Sequence, residues 1–227
     1  LRADGVAVPL TLPANGDWTY TSAAGDAVTL IDLEDGSEAC AEEGTPAMNA
    51  WLRGTLPAGK YIGLRMTLGV PYALNHTNTT AAPAPLDIFA MAWSWQAGRK
   101  YAKIEVTEPT LRAWRSPTFY IHLGATGCSG NAAQGTVVCA RANRGTVQFD
   151  GIDFDTQRAV VDVQALLAGT DITINQRGAG GCMSEATDPD CLRVFESFAI
   201  DWKADGTGTG LPLNGGRSQT WLRLAPR

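Results

Sequence analysis

Short runs in which apolar and polar residues alternate recur along the whole chain, and clusters of Gly, Pro, Asn and Asp separate them. Alternation with a period of two places successive side chains on opposite faces of a strand, and the clusters supply turns. No stretch shows the longer apolar period of an extended amphipathic helix. The sequence therefore predicts a mostly β fold, an antiparallel β-sandwich-like single domain with long loops and few short helices.

The alternating runs place the individual elements. Strands are predicted over Val6–Leu12, Ala27–Asp32, Lys60–Leu68, Phe89–Trp95, Tyr101–Val106, Phe119–Leu123, Thr146–Phe149, Ala159–Val161 and Thr220–Leu224. A short helix is predicted over Asp162–Leu167, with Gly169 placed to end it, and a second helical turn after Pro189.

Length and charge narrow the class of protein. A chain of 227 residues with 44% hydrophobic residues suits one β domain over residues 1–227. The net charge of −5 comes without a basic cluster, so we expect neither a nucleic-acid nor an anionic-membrane partner. No apolar run is long enough to span a bilayer. Because Leu1 opens without signal-peptide features, we expect that any signal was removed or lies upstream.

The five cysteines form two local pairs and one leftover. Cys128 and Cys139 bracket one polar loop, and Cys182 and Cys191 bracket another. Such pairs are typical of disulfides in an oxidising compartment, whereas no C-x-x-C knuckle suggests a zinc cluster. Cys40 is left over, and we expect it to be unpaired here or joined to a cysteine upstream of Leu1.

The chain contains two histidines, His76 and His122. His76 lies in the long, proline-rich segment Pro71–Pro85, and a loop of that length is usually functional or disordered. His122 lies in a predicted strand, on the face opposite Phe119, Ile121 and Leu123. A single histidine is more often structural than functional, yet neutral imidazole is the commonest metal ligand.

The segment Phe89–Trp95 contains a stripe of large soft side chains. If it is a strand, Met91, Trp93 and Trp95 share one face, a pattern equally typical of a core and of a ligand pocket. Methionine sulfur and imidazole both suit copper, and the thioether selects Cu(I). Met183 is a second thioether, beside a predicted disulfide. Indole nitrogen donates only, but oxidative opening of tryptophan to kynurenine exposes an aromatic amine with a lone pair.

Motifs of catalysis are missing from the sequence. It has no G-x-S-x-G, H-E-x-x-H, phosphate-loop or EF-hand pattern. Its acidic pairs lie in predicted loops, where solvated surface is the ordinary interpretation. We therefore expect a binding protein and not an enzyme.

Several blocks of sequence together resemble the MbnP-like family, the four-Cys proteins of metallo-mystery pair systems. They are VTLIDLEDGSEAC (28–40), GLRMTLGVPYALNH (63–76), APLDIFAMAWSWQAGRKYAKIEV (84–106), FYIHLGATGC (119–128), GCMSEATDPDC (181–191) and the closing SQTWLRL. The blocks stand in family order, and LGVPYxLNH, WSWQ and HLGxTGC are the specific ones.

The resemblance implies a periplasmic or secreted bacterial protein of copper homeostasis that binds one copper ion, with Cu(I) preferred. It also implies a partner, a di-haem peroxidase of the MauG or cytochrome c peroxidase type, which oxidises the first tryptophan of the WxW motif to kynurenine. By position that residue is Trp93. The implied ligands are histidine and methionine, with His76, Met91 and His122 as candidates. Trp95 and Met183 are expected next to these ligands, with Met183 as the reserve thioether.

The sequence departs from the family pattern in two places. The N-terminal family segment, with its strand and cysteine, is expected to be missing here. The family's GYKF after WSWQ is GRKY in this chain, a change to which we assign no function. The alternative is a carbohydrate- or ligand-binding β-sandwich that uses the aromatic stripe as a stacking platform, but such a platform needs neither histidine nor Met91.

Overall fold

The computed structural model describes residues 1–42, 44–94, 96–107 and 118–227. Within these ranges the strands are β1 (Thr19–Thr21), β2 (Ala27–Thr29), β3 (Leu64–Leu68), β4 (Ala92–Ser94), β5 (Gly98–Thr107), β6 (Thr118–Gly124), β7 (Thr126–Ser129), β8 (Val138–Arg141), β9 (Gly145–Phe149), β10 (Gln157–Val161) and β11 (Leu222–Pro226). The α-helices are α1 (Tyr72–Asn75), α2 (Val163–Leu166) and α3 (Leu192–Ser197). No helix in the described ranges has the length and apolar character needed to cross a bilayer.

The strands pair in antiparallel fashion and form several small sheets. The central one has the order β4-β5-β6, and the other sheets are the pairs β1-β2, β3-β9, β7-β8 and β10-β11. Strands β5 and β6 pair from Thr107 opposite Thr118 to Lys100 opposite Gly124. The predicted fold class, β-rich with few short helices, is confirmed.

One apolar core fills the space between β6, β9 and α3. Alternation along β6 directs Phe119, Ile121 and Leu123 into it, each no more than 1% exposed. The other buried members are Val147, Leu166, Cys182, Cys191, Val194, Phe195, Phe198, Ile200, Trp202, Trp221 and Leu222. Because β6 commits every second residue to the core, its remaining side chains must lie on the opposite face.

Arg99, at the start of β5, is 3% exposed and has no carboxylate within bonding distance among the described residues. Its guanidinium donates to backbone carbonyls instead. Nε and Nη2 donate to Leu86 (3.0 and 2.7 Å), Nη1 donates to Leu74 and to Asn75 (3.0 Å), and Nη2 also reaches Thr77 (3.4 Å). All five guanidinium donors are thereby used. Burial lowers the pKa of Arg99, with nearby Asp87 opposing that shift.

The Arg99 contacts explain how the long segment Pro71–Pro85 is held. Three acceptors lie in its first half, at Leu74, Asn75 and Thr77, and the fourth, Leu86, follows its last residue. The Asn75 side chain also accepts from the Arg99 backbone N–H at 2.9 Å. The segment is therefore tied to the first residues of β5 by hydrogen bonds to a charged group, which are stronger than neutral ones.

The predicted strand Val6–Leu12 is wrong. Only Thr11 forms an isolated bridge there, to Thr55. Pro9 interrupts the run and has no N–H to donate to a ladder, which explains why the alternating pattern does not become a strand. The other predicted strands each overlap an observed one, and the predicted helix corresponds to α2, capped by the Asp162 side chain.

The predicted strand Phe89–Trp95 is correct only over Ala92–Ser94. Residues Phe89–Met91 form a turn of 3-10 helix, so the alternation that would place Met91 on the Trp93 face does not reach Met91. Trp95 lies outside the described residues. The strands β1, β7 and β8 were missed because they are only three or four residues long, too short for a clear alternating pattern.

Both predicted disulfides are confirmed. Cys128 in β7 bonds to Cys139 directly opposite in β8, and Cys182 bonds to Cys191 inside the core. Cys40 is free and exposed. Two disulfides favour an oxidising compartment outside the cytoplasm.

We predict that Arg99→Met lowers the free energy of unfolding by about 3–5 kcal/mol, because several buried carbonyls lose a charged donor at once. Urea unfolding measures the loss, and limited proteolysis should show new cleavage within Pro71–Pro85. Arg158→Met, at an exposed position on β10, is the matched control and should cost less than about 0.5 kcal/mol. Equal stability of the two variants would refute the role of Arg99.

The buried carboxyl of Asp188 makes the free energy of unfolding depend on pH. It is 3% exposed, and burial together with the Asp190 charge raises its pKa from 3.8 to about 6. Between pH 3.8 and about pH 6 the carboxyl is protonated more in the folded state than in the unfolded state, so the free energy of unfolding falls as the pH rises through this range. The stability associated with protonated Asp188 is therefore fully present below about pH 4 and is lost above about pH 6. Asp188→Asn retains the side-chain oxygen that accepts from the Asp190 N–H. We expect it to match the parent at pH 4 and to exceed its stability at pH 7.5 by up to about 3 kcal/mol in thermal or urea unfolding. A constant difference across this pH range would show that the carboxyl does not titrate there.

Candidate metal centre

The face of β6 that turns away from the core carries the candidate site. His122 lies there, 6% exposed, with Tyr120 two residues before it and its ring 5.5 Å away in an edge-on arrangement. Gly124 follows two residues later, about 7 Å along the strand. This confirms the sequence argument that His122 stands off the apolar face.

Trp93 lies on β4, which is separated from β6 by β5, and its ring packs over Gly124. A Cβ atom at Gly124 would lie 2.4 Å from Cζ3 of the indole, so the ring occupies the space that any other residue would fill. Because the Cβ direction at Gly124 is that of His122, the indole lies on the same face of β6 as the imidazole. The structure thus brings two predicted site residues, Trp93 and His122, onto one surface.

His122 is held by Glu105 on β5. Its Nε2 lies 2.7 Å from Glu105 Oε1, and Lys103 Nζ lies 3.0 Å from the same oxygen. The hydrogen bond from His122 lowers the pKa of Glu105, and burial opposes this while Lys103 adds to it. Glu105 is therefore an ionised acceptor at neutral pH, and His122 Nε2 must be the donor.

The other ring nitrogen of His122, Nδ1, is left to bind a ligand. Neutral imidazole protonated on Nε2 carries its lone pair on Nδ1, which is buried and has no hydrogen-bond partner among the described residues. Histidines that bind metals usually donate their other ring N–H to a carboxylate, and Glu105 is that carboxylate here. The residues around His122 therefore fit a metal ligand with its orienting partner.

Met183 lies beside this histidine. The preceding residue, Cys182, accepts from the His122 N–H at 2.9 Å, and the following residue, Ser184, donates its hydroxyl to the His122 carbonyl at 2.9 Å. The Ser184 hydroxyl also accepts from the Gly124 N–H at 3.1 Å. Met183 is consequently fixed at the edge of β6 level with His122, closer to the site than its sequence position indicates.

His76 stands at the end of α1, against the Cys128–Cys139 disulfide. Its Nε2 lies 3.5 Å from Cys139 Sγ and 3.2 Å from the Asn75 side-chain nitrogen. Because the Asn75 oxygen already accepts from the Arg99 N–H, the amide nitrogen is the donor and His76 Nε2 is the acceptor. The ring also meets Tyr72 edge-on, at 5.7 Å between centroids.

His76, Cys128 and Cys139 form a group whose possible ligand atoms all lie within 4.8 Å of one another. The metal-binding form of cysteine is the thiolate, and the disulfide removes both thiolates. In the oxidised protein this group therefore offers a single imidazole nitrogen.

Trp93 also borders an open cleft of about 810 Å³. Its walls carry the polar residues Asn78, Thr80, Gln96 and Asn131, together with Phe89, which is 66% exposed. The indole is thus reachable from solvent on one side while its other side packs on β6.

Sequence reasoning missed Glu105, Gly124 and Ser184. Glu105 and Gly124 follow the same alternation as Lys103 and His122, so pairing β5 with β6 would have found them. No sequence signal joins Ser184 to β6, since their contact depends on a loop 60 residues away.

Comparisons with known proteins agree with the geometry. The family model named MbnP matches residues 5–184. A solved structure, MbnP from Methylosinus trichosporium, is similar at 37% sequence identity with a TM-score of 0.86, covering 100% of this chain and 82% of that one. No curated protein matches the chain.

We predict that Gly124→Ala displaces the Trp93 ring, because the new methyl group would overlap it, and costs about 1–3 kcal/mol of stability. Near-ultraviolet circular dichroism and urea unfolding report the two effects. Gly145→Ala is the control, since its Cβ would meet only ordinary contacts at 3.6 Å. An unchanged aromatic spectrum in Gly124→Ala would contradict the placement of Trp93.

Proposed function

The chain belongs to the MbnP family, and from that premise we propose that it is a periplasmic or secreted copper-binding protein of bacterial copper homeostasis, without catalytic activity of its own. We propose that it binds Cu(I) in a site matured by oxidation of Trp93 to kynurenine, and that the oxidant is a partner di-haem peroxidase of the MauG type.

The observation that carries this proposal is His122 Nδ1. A buried lone pair without a partner is costly unless something occupies it, and Glu105 orients the ring as it would for a metal ligand. The proposed ligands are His122, His76 and Met91. Met183, whose two neighbours in the chain bond to the His122 backbone, is the reserve thioether. Imidazole and thioether together favour Cu(I) over harder ions.

The position of Trp93 supports the maturation step. The indole shares a face with His122 and borders the open cleft, so an external oxidant can approach it. Indole nitrogen offers no lone pair, whereas the aromatic amine of kynurenine does. The amine would act beside His122, either on the ion or on the shape of its pocket. Trp95 is proposed to stay unmodified.

The open cleft favours a second candidate function. A tryptophan and an exposed phenylalanine among asparagine, threonine and glutamine side chains would suit a carbohydrate, which stacks on aromatic rings and bonds to amides. Phe89→Ala separates the candidates, because it should abolish sugar binding and leave copper affinity within about threefold.

The direct test is a Cu(I) titration against a competing chelator, on protein produced with and without the peroxidase. We expect tight binding only after co-production, with kynurenine mapped to Trp93. His122→Gln and Trp93→Phe should each weaken Cu(I) binding by at least about 100-fold. Trp51→Phe, an exposed tryptophan in the N-terminal part, is the matched control and should behave as the parent. Parent-like affinity in Trp93→Phe would disprove the dependence on oxidation.

A sharper prediction concerns Glu105. Glu105→Gln keeps an acceptor near His122 but removes the charge that sets its tautomer, so Cu(I) affinity should fall about 10–100-fold with little loss of stability. Glu196→Gln, in an exposed ion pair on α3, is the control for charge removal. If both variants bind Cu(I) equally well, Glu105 does not orient a copper ligand.

A further inference from the structure

The corner formed by His76, Cys128 and Cys139 has a property that the proposed copper site does not use. Cys128 and Cys139 are partly exposed residues, whereas Cys182 and Cys191 are core residues that are 1% and 0% exposed. A soluble thiol can therefore attack Cys128–Cys139 directly, and it can reach Cys182–Cys191 only by opening the core.

The sheet keeps the two cysteines together without their bond. Cys128 and Cys139 are direct partners in the β7-β8 ladder, flanked by the pairs Thr126 with Arg141 and Ser129 with Val138. Arg141 also donates from Nε to the Gly208 carbonyl at 2.8 Å, which anchors β8 to the C-terminal loop. Reduction therefore leaves two thiols side by side on a supported hairpin.

The distance from the imidazole of His76 to the Cys139 sulfur already suits two ligands of one zinc ion. A tetrahedral zinc ion with ordinary bond lengths separates its nitrogen and sulfur ligands by about 3.6 Å. His76 Nε2 lies 3.5 Å from Cys139 Sγ. Because Asn75 donates to this nitrogen, the imidazole lone pair is on Nε2, and a bound ion would take the place of the Asn75 hydrogen bond. The sulfurs need only move apart to about 3.8 Å.

We infer that reduction of Cys128–Cys139 converts this corner into a binding site for a thiophilic d10 cation such as Zn²⁺, held by two thiolates and the imidazole of His76. A dithiol supplies both electrons: its sulfurs form a new disulfide as the protein disulfide breaks, and its two protons pass to the cysteines. Metal binding then releases those protons to solvent. The fourth position faces water.

This site is separate from the proposed copper site in its chemistry. It requires the reduced protein and does not use His122, Met91 or Trp93. If His76 also binds Cu(I), the redox state of this disulfide would control which ion the residue holds. The inference rests on the fold alone and survives if the proposed function fails.

The experiment uses the full chain with Cys40→Ser throughout, which removes the free thiol. Limited treatment with a dithiol, its anaerobic removal, and alkylation with peptide mapping show which disulfide opens. We expect alkylation at Cys128 and Cys139 with Cys182–Cys191 intact. Simultaneous opening of both disulfides, or loss of the β-sheet signal in circular dichroism, overturns the inference.

The probe is Zn²⁺ in competition with a chromophoric chelator, and Co²⁺ reports thiolate coordination through its charge-transfer absorption. We expect one Zn²⁺ to bind reduced protein at least about 100-fold more tightly than oxidised protein. The double variant Cys128→Ser, Cys139→Ser should lose this gain, and His76→Gln should lose about 10–100-fold. His122→Gln is the control and should keep it. Equal zinc affinity in both redox states, or an unaffected His76→Gln protein, refutes the three-ligand site.

Discussion

The buried guanidinium of Arg99 is the interaction on which the rest of the structure depends. A charge at 3% exposure is tolerated because every donor reaches a carbonyl. Those carbonyls lie in the first half of the segment Pro71–Pro85 and directly after it. One side chain thereby fixes the loop that carries His76 to the strand that pairs with β6. No sequence pattern indicated a function at this position, and the structure shows that it positions the segment that carries His76.

The three-stranded sheet β4-β5-β6 divides two environments. On one face of this sheet, β6 closes the apolar core. The other face carries His122 from β6, the ionised Glu105 from β5 and the indole of Trp93 from β4. Stability comes from the first face, which allows the second to carry an imidazole nitrogen that has no hydrogen-bond partner in the described part of the chain. The pairing of β4 and β6 with the central strand β5 also holds Trp93 and His122 on one face, as a site that must be preorganised requires.

The two disulfides lie in different environments, one in the apolar core and one on a small hairpin. Cys182–Cys191 lies in the core and holds the segment whose backbone borders β6, so it supports His122 and Met183 from behind. Cys128–Cys139 lies on a small edge hairpin against His76. The buried disulfide therefore supports packing, whereas the disulfide on the hairpin is open to reaction with thiols, because burial controls access to the sulfur atoms.

The sequence by itself determined the β-rich class, most strands, both disulfides and the off-core position of His122, since these follow from local alternation and short-range spacing. It could not determine that Met91 leaves the strand pattern, that Gly124 receives the Trp93 ring or that Glu105 orients His122. Nor could it show that Ser184 brings Met183 to β6, or that Arg99 is buried. Each of these depends on contacts between residues far apart in the chain. Only the tertiary structure decided them, because side-chain packing and hydrogen-bond satisfaction are properties of the whole folded chain.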